Sequence, residues 1–323
     1  PKAAPTPTIL RTDQLAARPE HAPGIERYTL SDLGFGATIP VPEAGETAAQ
    51  QRLTDFVSGA IYDYETGRNR LAAEPERDPV PGTSFLSADL HLGLLSIREA
   101  YRAAERAREA AAAESARKSV EAWIGELGWR EFYQHILFHF PHVTAGNFRR
   151  AYDRLEWRHA PDELQAWKDG RTGYPVVDAA MRQLRQTGWM PNRARMIVAS
   201  FLTKDLLIDW REGERHFMRW LVDGDLAANN GGWQWSAGTG TDAQPYFRIF
   251  NPVSQSRKFD ADGTYIRRWL PELRAVPDAS IHTPWEMAQP PDDYSPPIVD
   301  HAFARQRALD AFGKAKLTEP ETR

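Results

Sequence analysis

Asp223-Gly-Asp-Leu-Ala-Ala-Asn-Asn-Gly-Gly-Trp-Gln-Trp235 sets two carboxylates around a glycine, two amides before two glycines, and two indoles behind them. The run shows neither a helical nor a strand period. Gly231 and Gly232 admit backbone angles and close approaches that other residues resist, so a tight irregular bend is predicted. Leu226, Trp233 and Trp235 argue against a free surface loop. A partly buried bend rich in polar groups needs partners for them. Those partners belong either to the protein or to a bound molecule.

The flanks read as helices. Residues 174–186, 192–210 and 212–222 form three amphipathic patterns, with Pro191 at a helix start. Residues 119–140 form another, ended by Pro141, with Val120, Trp123, Ile124, Leu127, Phe132 and Ile136 as its core stripe. The Ala/Arg/Glu run at 100–118 is helical by propensity, and Ser96 with Glu99 predicts a capping box at its start. From Thr47, Leu53, Phe56, Val57 and Ile61 recur at helical steps. Residues 67–82 read as a loop. Thr83-Ser-Phe-Leu-Ser87 is a hydroxyl-rich start to a further helix, with Leu90, Leu94 and Leu95 on its apolar side. Beyond Pro252 short helices alternate with proline loops. Residues 1–50, with seven prolines and little periodicity, read as an extended linker. No strand series and no strand–glycine–helix unit occurs. The expected class is an all-α domain of many helices.

The 323 residues are 41% hydrophobic and 26% charged, ordinary for a globular chain, but eleven are Trp. That many indoles imply a large core, a stacking surface or both. The net charge is -4, yet residues 179–259 hold eleven Lys/Arg against seven Asp/Glu, so a basic face is possible. Cysteine is absent, which removes disulfides, thiolate catalysis and Cys-ligated metal. No apolar run approaches the ~20 residues of a membrane helix, and the first residues lack the apolar segment of a secretion signal.

Three constellations can carry chemistry. Asp223 and Asp225 are either solvated acids in a turn or acceptors for hydroxyls or a heterocycle edge. Glu126 and Arg130 stand four apart on one helix face with Trp123, Trp129 and Tyr133 nearby. They are either a surface ion pair or the polar edge of a ligand pocket. Arg193 and Arg195 near a helix start suit phosphates or are solvated, and Met196 beside them suits the core. His135, His139 and His142 lack a paired carboxylate and read as structural or surface residues. The common hydrolase, P-loop, zincin and dinucleotide signatures are missing.

Four stretches then resemble one family. Trp123-Ile-Gly-Glu-Leu-Gly-Trp-Arg-Glu-Phe-Tyr133, Gly170-Arg-Thr-Gly-Tyr-Pro-Val-Val-Asp-Ala-Ala-Met-Arg182, Asn192-Arg-Ala-Arg-Met-Ile-Val-Ala-Ser-Phe-Leu202 and the opening stretch follow one another in the chain. They look like the FAD-binding domain of DNA photolyases and cryptochromes, and most like bacterial class I cyclobutane pyrimidine dimer photolyases. The resemblance runs from roughly Gln50 to the end. Four motifs in order are far more specific than any one.

The resemblance implies a helical catalytic domain over residues 51–323 around a U-shaped FAD, active as FADH⁻. Tyr64, Thr83, Ser84, Phe85, Leu86 and Ser87 are implied to line its pyrophosphate and ribitol. Trp123, Arg130 and Arg195 would flank it, and Asp223, Gly224 and Asp225 would meet flavin and ribose edges. Asn229 would face flavin N5. The implied reaction is light-driven: excited FADH⁻ lends an electron to a flipped-out dimer in DNA, the cyclobutane ring splits, and the electron returns. Glu126 is implied to hydrogen-bond a thymine carbonyl. Asn192 and Met196 would contact the dimer, with Trp129, Tyr133 and Trp235 beside its bases. Arg68, Arg130, Arg193 and Arg248 would serve DNA, the arginines at 68, 193 and 248 through phosphates. Trp233, Trp210 and Trp157 match an electron relay from flavin to surface.

The absence of His at 192 and 196 disfavours the (6-4) class, and Asn229 disfavours a pure sensor. Ala88 and Pro191 depart from the family pattern. The family's N-terminal α/β antenna domain is not expected in this chain, so no antenna chromophore is assigned and a fragment is expected. The implied protein is a monomer of the bacterial cytoplasm, acting with the nucleoid. The alternatives are a cryptochrome-like photoreceptor with the same pocket, or a DNA-binding helical domain without chemistry.

Overall fold

The computed structural model describes residues 39, 41–72 and 82–317. Most of the expected linker and much of the 67–82 loop lie outside these residues. Within them every regular element is helical, as expected. The first helix begins at Glu46, ahead of the expected boundary at residue 50.

Two hydrophobic clusters build the fold. The first joins α1 (Glu46–Ser58), α2 (Tyr64–Gly67), α3 (Ser87–His91), α4 (Ile97–Ala110) and the first half of α5 (Glu114–His139). In α4 the buried face is Ala100, Ala103, Ala104 and Ala107, so its backbone lies close against α5. Ser96 does sit at its N-cap, but the capping box is not made. The Ser96 carbonyl, not its hydroxyl, takes the Glu99 and Ala100 N–H groups. In α5, Val120, Trp123 and Leu127 are buried, whereas Ile124, Phe132 and Ile136 are only half-buried.

The second cluster gathers α6 (Pro161–Asp169), α7 (Pro175–Thr187), α8 (Asn192–Ser200), α9 (Trp210–Trp220), α10 (Leu226–Ala237), α11 (Pro252–Phe259) and α12 (Thr264–Trp269). The single helix expected over 192–210 is instead α8 followed by a π-turn, Phe201–Asp205, and a break before α9. The widened turn buries Lys204, whose amine donates to the Ala237 carbonyl at 2.7 Å. A third, smaller cluster brings α13 (His301–Leu317) against this turn through Phe312, which lies 3.5 Å from the Lys204 amine.

The stretch from Asp223 to Trp235 is not an irregular bend. Most of it is helix α10, begun by Asp225, whose carboxylate accepts the Ala228 N–H at 3.0 Å. It shows no period because α5, α8 and α9 pack around it, and a helix covered on several sides has no polar face. Its glycine serves packing rather than turning. A Cβ on Gly231 would stand 2.1 Å from the Tyr133 ring of α5. On α9, a Cβ on Gly213 would stand 2.1 Å from the Trp233 ring. These contacts seat α10 between its neighbours.

Gly213→Ala should therefore cost about 1–3 kcal/mol of stability by overpacking against Trp233. A thermal midpoint equal to that of the parent protein would show that α9 gives way freely.

Candidate active site

The seam between the two main clusters opens into a cleft of about 510 Å³, within the usual range for a small-molecule site. Tyr64, Leu86, Trp123 and Leu127 come from one cluster, and Met190, Ala199, Phe217, Leu221 and Trp233 from the other. The α10 face toward the cleft is small and flat, with Ala228, Gly232 and Ser236. Nothing lies within 4 Å of where a Gly232 Cβ would stand, so a side chain there would project into open space. A planar ligand can rest directly on this backbone.

Polar groups of the central stretch divide between two directions. Asn230 and Gln234 turn away from the cleft. The Asn230 amide donates to Glu214 Oε1 at 2.8 Å and Val143 O at 3.0 Å, and Gln234 Oε1 accepts the Phe148 N–H at 2.8 Å. Asn229 lines the cleft. One N–H of its amide donates to the Glu214 backbone carbonyl at 3.0 Å, which leaves its oxygen as an acceptor and its second N–H as a donor.

Neither aspartate is a solvated turn acid. Asp223 accepts from Arg195 Nη2 at 3.1 and 2.9 Å and from Ser87 Oγ at 2.7 Å. Asp225 caps α10 and also meets Gln134 Nε2 at 3.0 Å and His91 Nδ1 at 3.1 Å. Both carboxylates line the cleft while tied to residues on either side of it.

Of the two readings open for Glu126 and Arg130, the ion pair between them does not form. Glu126 pairs instead with Arg68 from the end of α2. Arg130 donates to the Leu90 carbonyl at 3.2 Å and lies 3.8 Å from Asp225. At the cleft, Glu126 and Arg130 of α5 thus reach groups on other elements, although Arg130 also lies 3.6 Å from its neighbour Glu131. Tyr133 is kept protonated: burial, then the charges of Asp242 and Glu126, push its phenol up to about 12.

Cations gather at the cleft's Glu126 end. Arg68 lines it, and the fields of Arg68 and Arg248 act on Arg193, whose pKa is drawn down first by burial and then by these two cations. Among the described residues neither Arg193 nor Arg248 has a carboxylate within ion-pair reach. Uncompensated guanidinium groups placed together favour an anion with several oxygens.

The cleft brings together Tyr64, Arg68, the five residues from Thr83 to Ser87, Trp123, Glu126, Trp129, Arg130, Tyr133, Asn192, Arg195, Met196, Asp223, Asp225, Asn229, Trp233 and Trp235. Five expected residues stay outside its lining. Gly224 turns toward Leu221 and Met218 instead. Arg193 and Arg248 lie at the cationic margin. Trp210 is buried in the second cluster, its indole N–H donating to Asn147 Oδ1 at 2.9 Å. Trp157 is half-buried against Phe312, with ring centroids 6.1 Å apart. Trp233 itself packs on Trp167 and Phe217 at 6.1 and 5.0 Å.

Sequence reasoning missed His91, Gln134 and Trp189. Gln134 stands four residues after Arg130, a spacing that puts it on the same helix face. Trp189 packs on Phe85 at 4.6 Å, and Phe85 adopts φ 54°, rare for a residue other than glycine. That contact had no local signal.

A helical domain whose two halves enclose a cleft shaped for a flat, hydrogen-bonding ligand, beside a cationic margin, is the class that fold and cleft define. Residues 123–314 match the family described as the FAD binding domain of DNA photolyase. The chain belongs to that family. It is 49% identical to the deoxyribodipyrimidine photo-lyase of Synechococcus sp. over 98% of its length and 66% of that protein's. It is 52% identical to the Escherichia coli protein of that name, over 84% of this chain and 56% of the relative. Among solved structures it is similar to a class III photolyase from Agrobacterium tumefaciens, with TM-score 0.80, 41% identity, and 92% and 63% of the two chains covered. A cryptochrome from Synechocystis sp. is also similar, with TM-score 0.75, 34% identity, and 83% and 56% coverage. The chain thus spans about two thirds or less of the length of these relatives. None of its described helices is long and apolar enough to cross a membrane.

Asp223→Asn removes the anion from a pair whose acid side chain is only 4% exposed. The expected loss is about 2 kcal/mol, the scale of a charge-assisted hydrogen bond. A lowered urea midpoint with unchanged slope measures it; an unmoved midpoint would mean that the pair does not hold the seam.

Proposed function

We propose that this chain, as a helical catalytic domain, holds FAD in the cleft and performs light-driven splitting of cyclobutane pyrimidine dimers in DNA. The observation that carries this reading is the convergence of Asn229, Glu126 and the Arg68–Arg193–Arg248 margin on one cleft. The groups present fit FAD. Asp223 and Asp225 offer acceptors for ring N–H and ribose hydroxyls, and the Asn229 oxygen would serve as an acceptor for the N–H that reduction adds to the flavin. Arg195, Ser84 and Ser87 suit the pyrophosphate, and Gly232 leaves room for the ring. When bound and reduced, this cofactor supplies, on absorbing light, the electron that opens the dimer and is afterwards returned to it.

The chain's own residues do the rest. Arg68, Arg193 and Arg248 grip backbone phosphates around the lesion. The dimer leaves the duplex to enter the cleft, as base-flipping enzymes require. Trp129 and Trp235 offer apolar faces to it, Tyr133 closes the wall, and Asn192 and Met196 border its path. When a phosphate claims Arg68, the Glu126 carboxyl is free to hydrogen-bond the pyrimidine edge. Trp233, Trp210 and Trp157 pass electrons from the surface toward the cofactor. A monomer working in the bacterial cytoplasm on nucleoid DNA accords with this reading.

An oligonucleotide bearing one thymine dimer tests it. Protein with reduced cofactor should restore absorbance at the dimer in light and not in the dark. Light-driven reduction of the cofactor without dimer loss would favour a photoreceptor, a reading that the Synechocystis cryptochrome likeness keeps in view. Colourless protein that binds DNA would end both.

Glu126→Ala should lower repair per absorbed photon several-fold while cofactor content stays constant; unchanged repair would remove its assigned role. Trp157→Phe should slow photoreduction of the oxidised cofactor yet leave repair by pre-reduced protein intact. Loss of repair in the pre-reduced protein would contradict the relay.

A further inference from the structure

Residues 68 and 69, just past α2, meet two different partners. Arg68 pairs with Glu126. Asn69 faces a cation: its side-chain oxygen accepts from Arg193 Nε at 3.1 Å and from Arg193 Nη2 at 2.7 Å. The Arg193 guanidinium also lies over the Phe259 ring, 4.3 Å from its centroid. It is half-buried, without a carboxylate partner among the described residues, and under the field of two further arginines.

Most half-buried arginines among the described residues are held differently. Arg52, Arg158, Arg182, Arg195 and Arg211 each lean on a carboxylate that cancels their charge. Arg193 is held by two hydrogen bonds and an aromatic face, and among the described residues by neutral groups only. A guanidinium has five N–H donors. Asn69 takes two, which leaves three, and the full positive charge, for something outside.

We propose that Asn69 is a positioning residue for DNA binding. It fixes the Arg193 guanidinium with a neutral oxygen, so that the cation is both oriented and uncompensated for one backbone phosphate. An aspartate at 69 would hold the same two N–H groups and spend the charge. An alanine would leave the charge and lose the orientation. The inference rests on the reading that this margin of the cleft receives DNA.

The test is a salt series, from 50 to 200 mM, of dark fluorescence-anisotropy titrations. The cofactor-loaded protein binds a labelled oligonucleotide carrying one thymine dimer. Urea midpoints confirm that each variant folds. Arg193→Ala should weaken binding about tenfold at low salt and flatten the log Kd–log salt slope by about 0.7–0.9, one phosphate's worth. Asn69→Asp should reproduce both effects although Arg193 is intact and the urea midpoint does not fall. Asn69→Ala should weaken binding only about threefold and leave the slope as in the parent, because the charge remains. Parental affinity and slope for Asn69→Asp, with Arg193→Ala impaired, would reduce Asn69 to a packing contact and overturn the inference alone. Parental binding by Arg193→Ala would overturn it together with the reading of this margin as the DNA site.

Discussion

Two carboxylates, Asp223 and Asp225, fasten the halves of the molecule across the cleft. Asp223 accepts from Ser87 on the α3 side and from Arg195 on α8. Asp225 starts α10 while accepting from Gln134 on α5 and meeting His91 on α3. Each acid therefore joins residues separated by many positions in the chain. A buried carboxylate stripped of such partners is strongly disfavoured. The partners cannot drift without exposing that penalty, and so the seam stays open at a fixed width. The same two acids line the cleft.

Glycine makes the second half of that constraint possible. Gly231 lets α10 sit within ring contact of Tyr133 on α5, and Gly213 lets α9 sit against the Trp233 ring of α10. Gly232, one step around the helix, faces empty space instead. Adjacent glycines thus differ: one removes a side chain so that protein can approach, the other borders open space in the cleft. The Asn pair beside them divides in the same way, with Asn230 bound into the protein and Asn229 presented to the cleft.

Charge follows a local rather than a global logic. The chain carries a net charge of -4, which says little about DNA. What counts is where carboxylates are withheld. Most buried or half-buried arginines have an acid beside them, whereas Arg193 rests on an amide and a phenyl ring. A cation so held has lost little of its field to the protein and still has donors to spare.

Much of this was legible in the residues. The all-α class, the helices at α5, α7 and α9, and the chemical importance of residues 223–235 follow from periodicity, caps and unpaired polar groups, and the ordered motifs named the family. The linear chain misled where neighbours decide. Residues 223–235 looked irregular because a helix enclosed on several sides keeps no period. Glu126 and Arg130 looked paired because four-residue spacing is visible and a partner 58 positions away is not. The Trp189–Phe85 and Asn69–Arg193 contacts had no local signature at all. Sequence alone determined which chemical groups were available and which segments would coil, since both depend on near neighbours. Which carboxylate met which cation, and which glycine faced space, was decided by tertiary packing, because those choices are settled between helices distant in the chain.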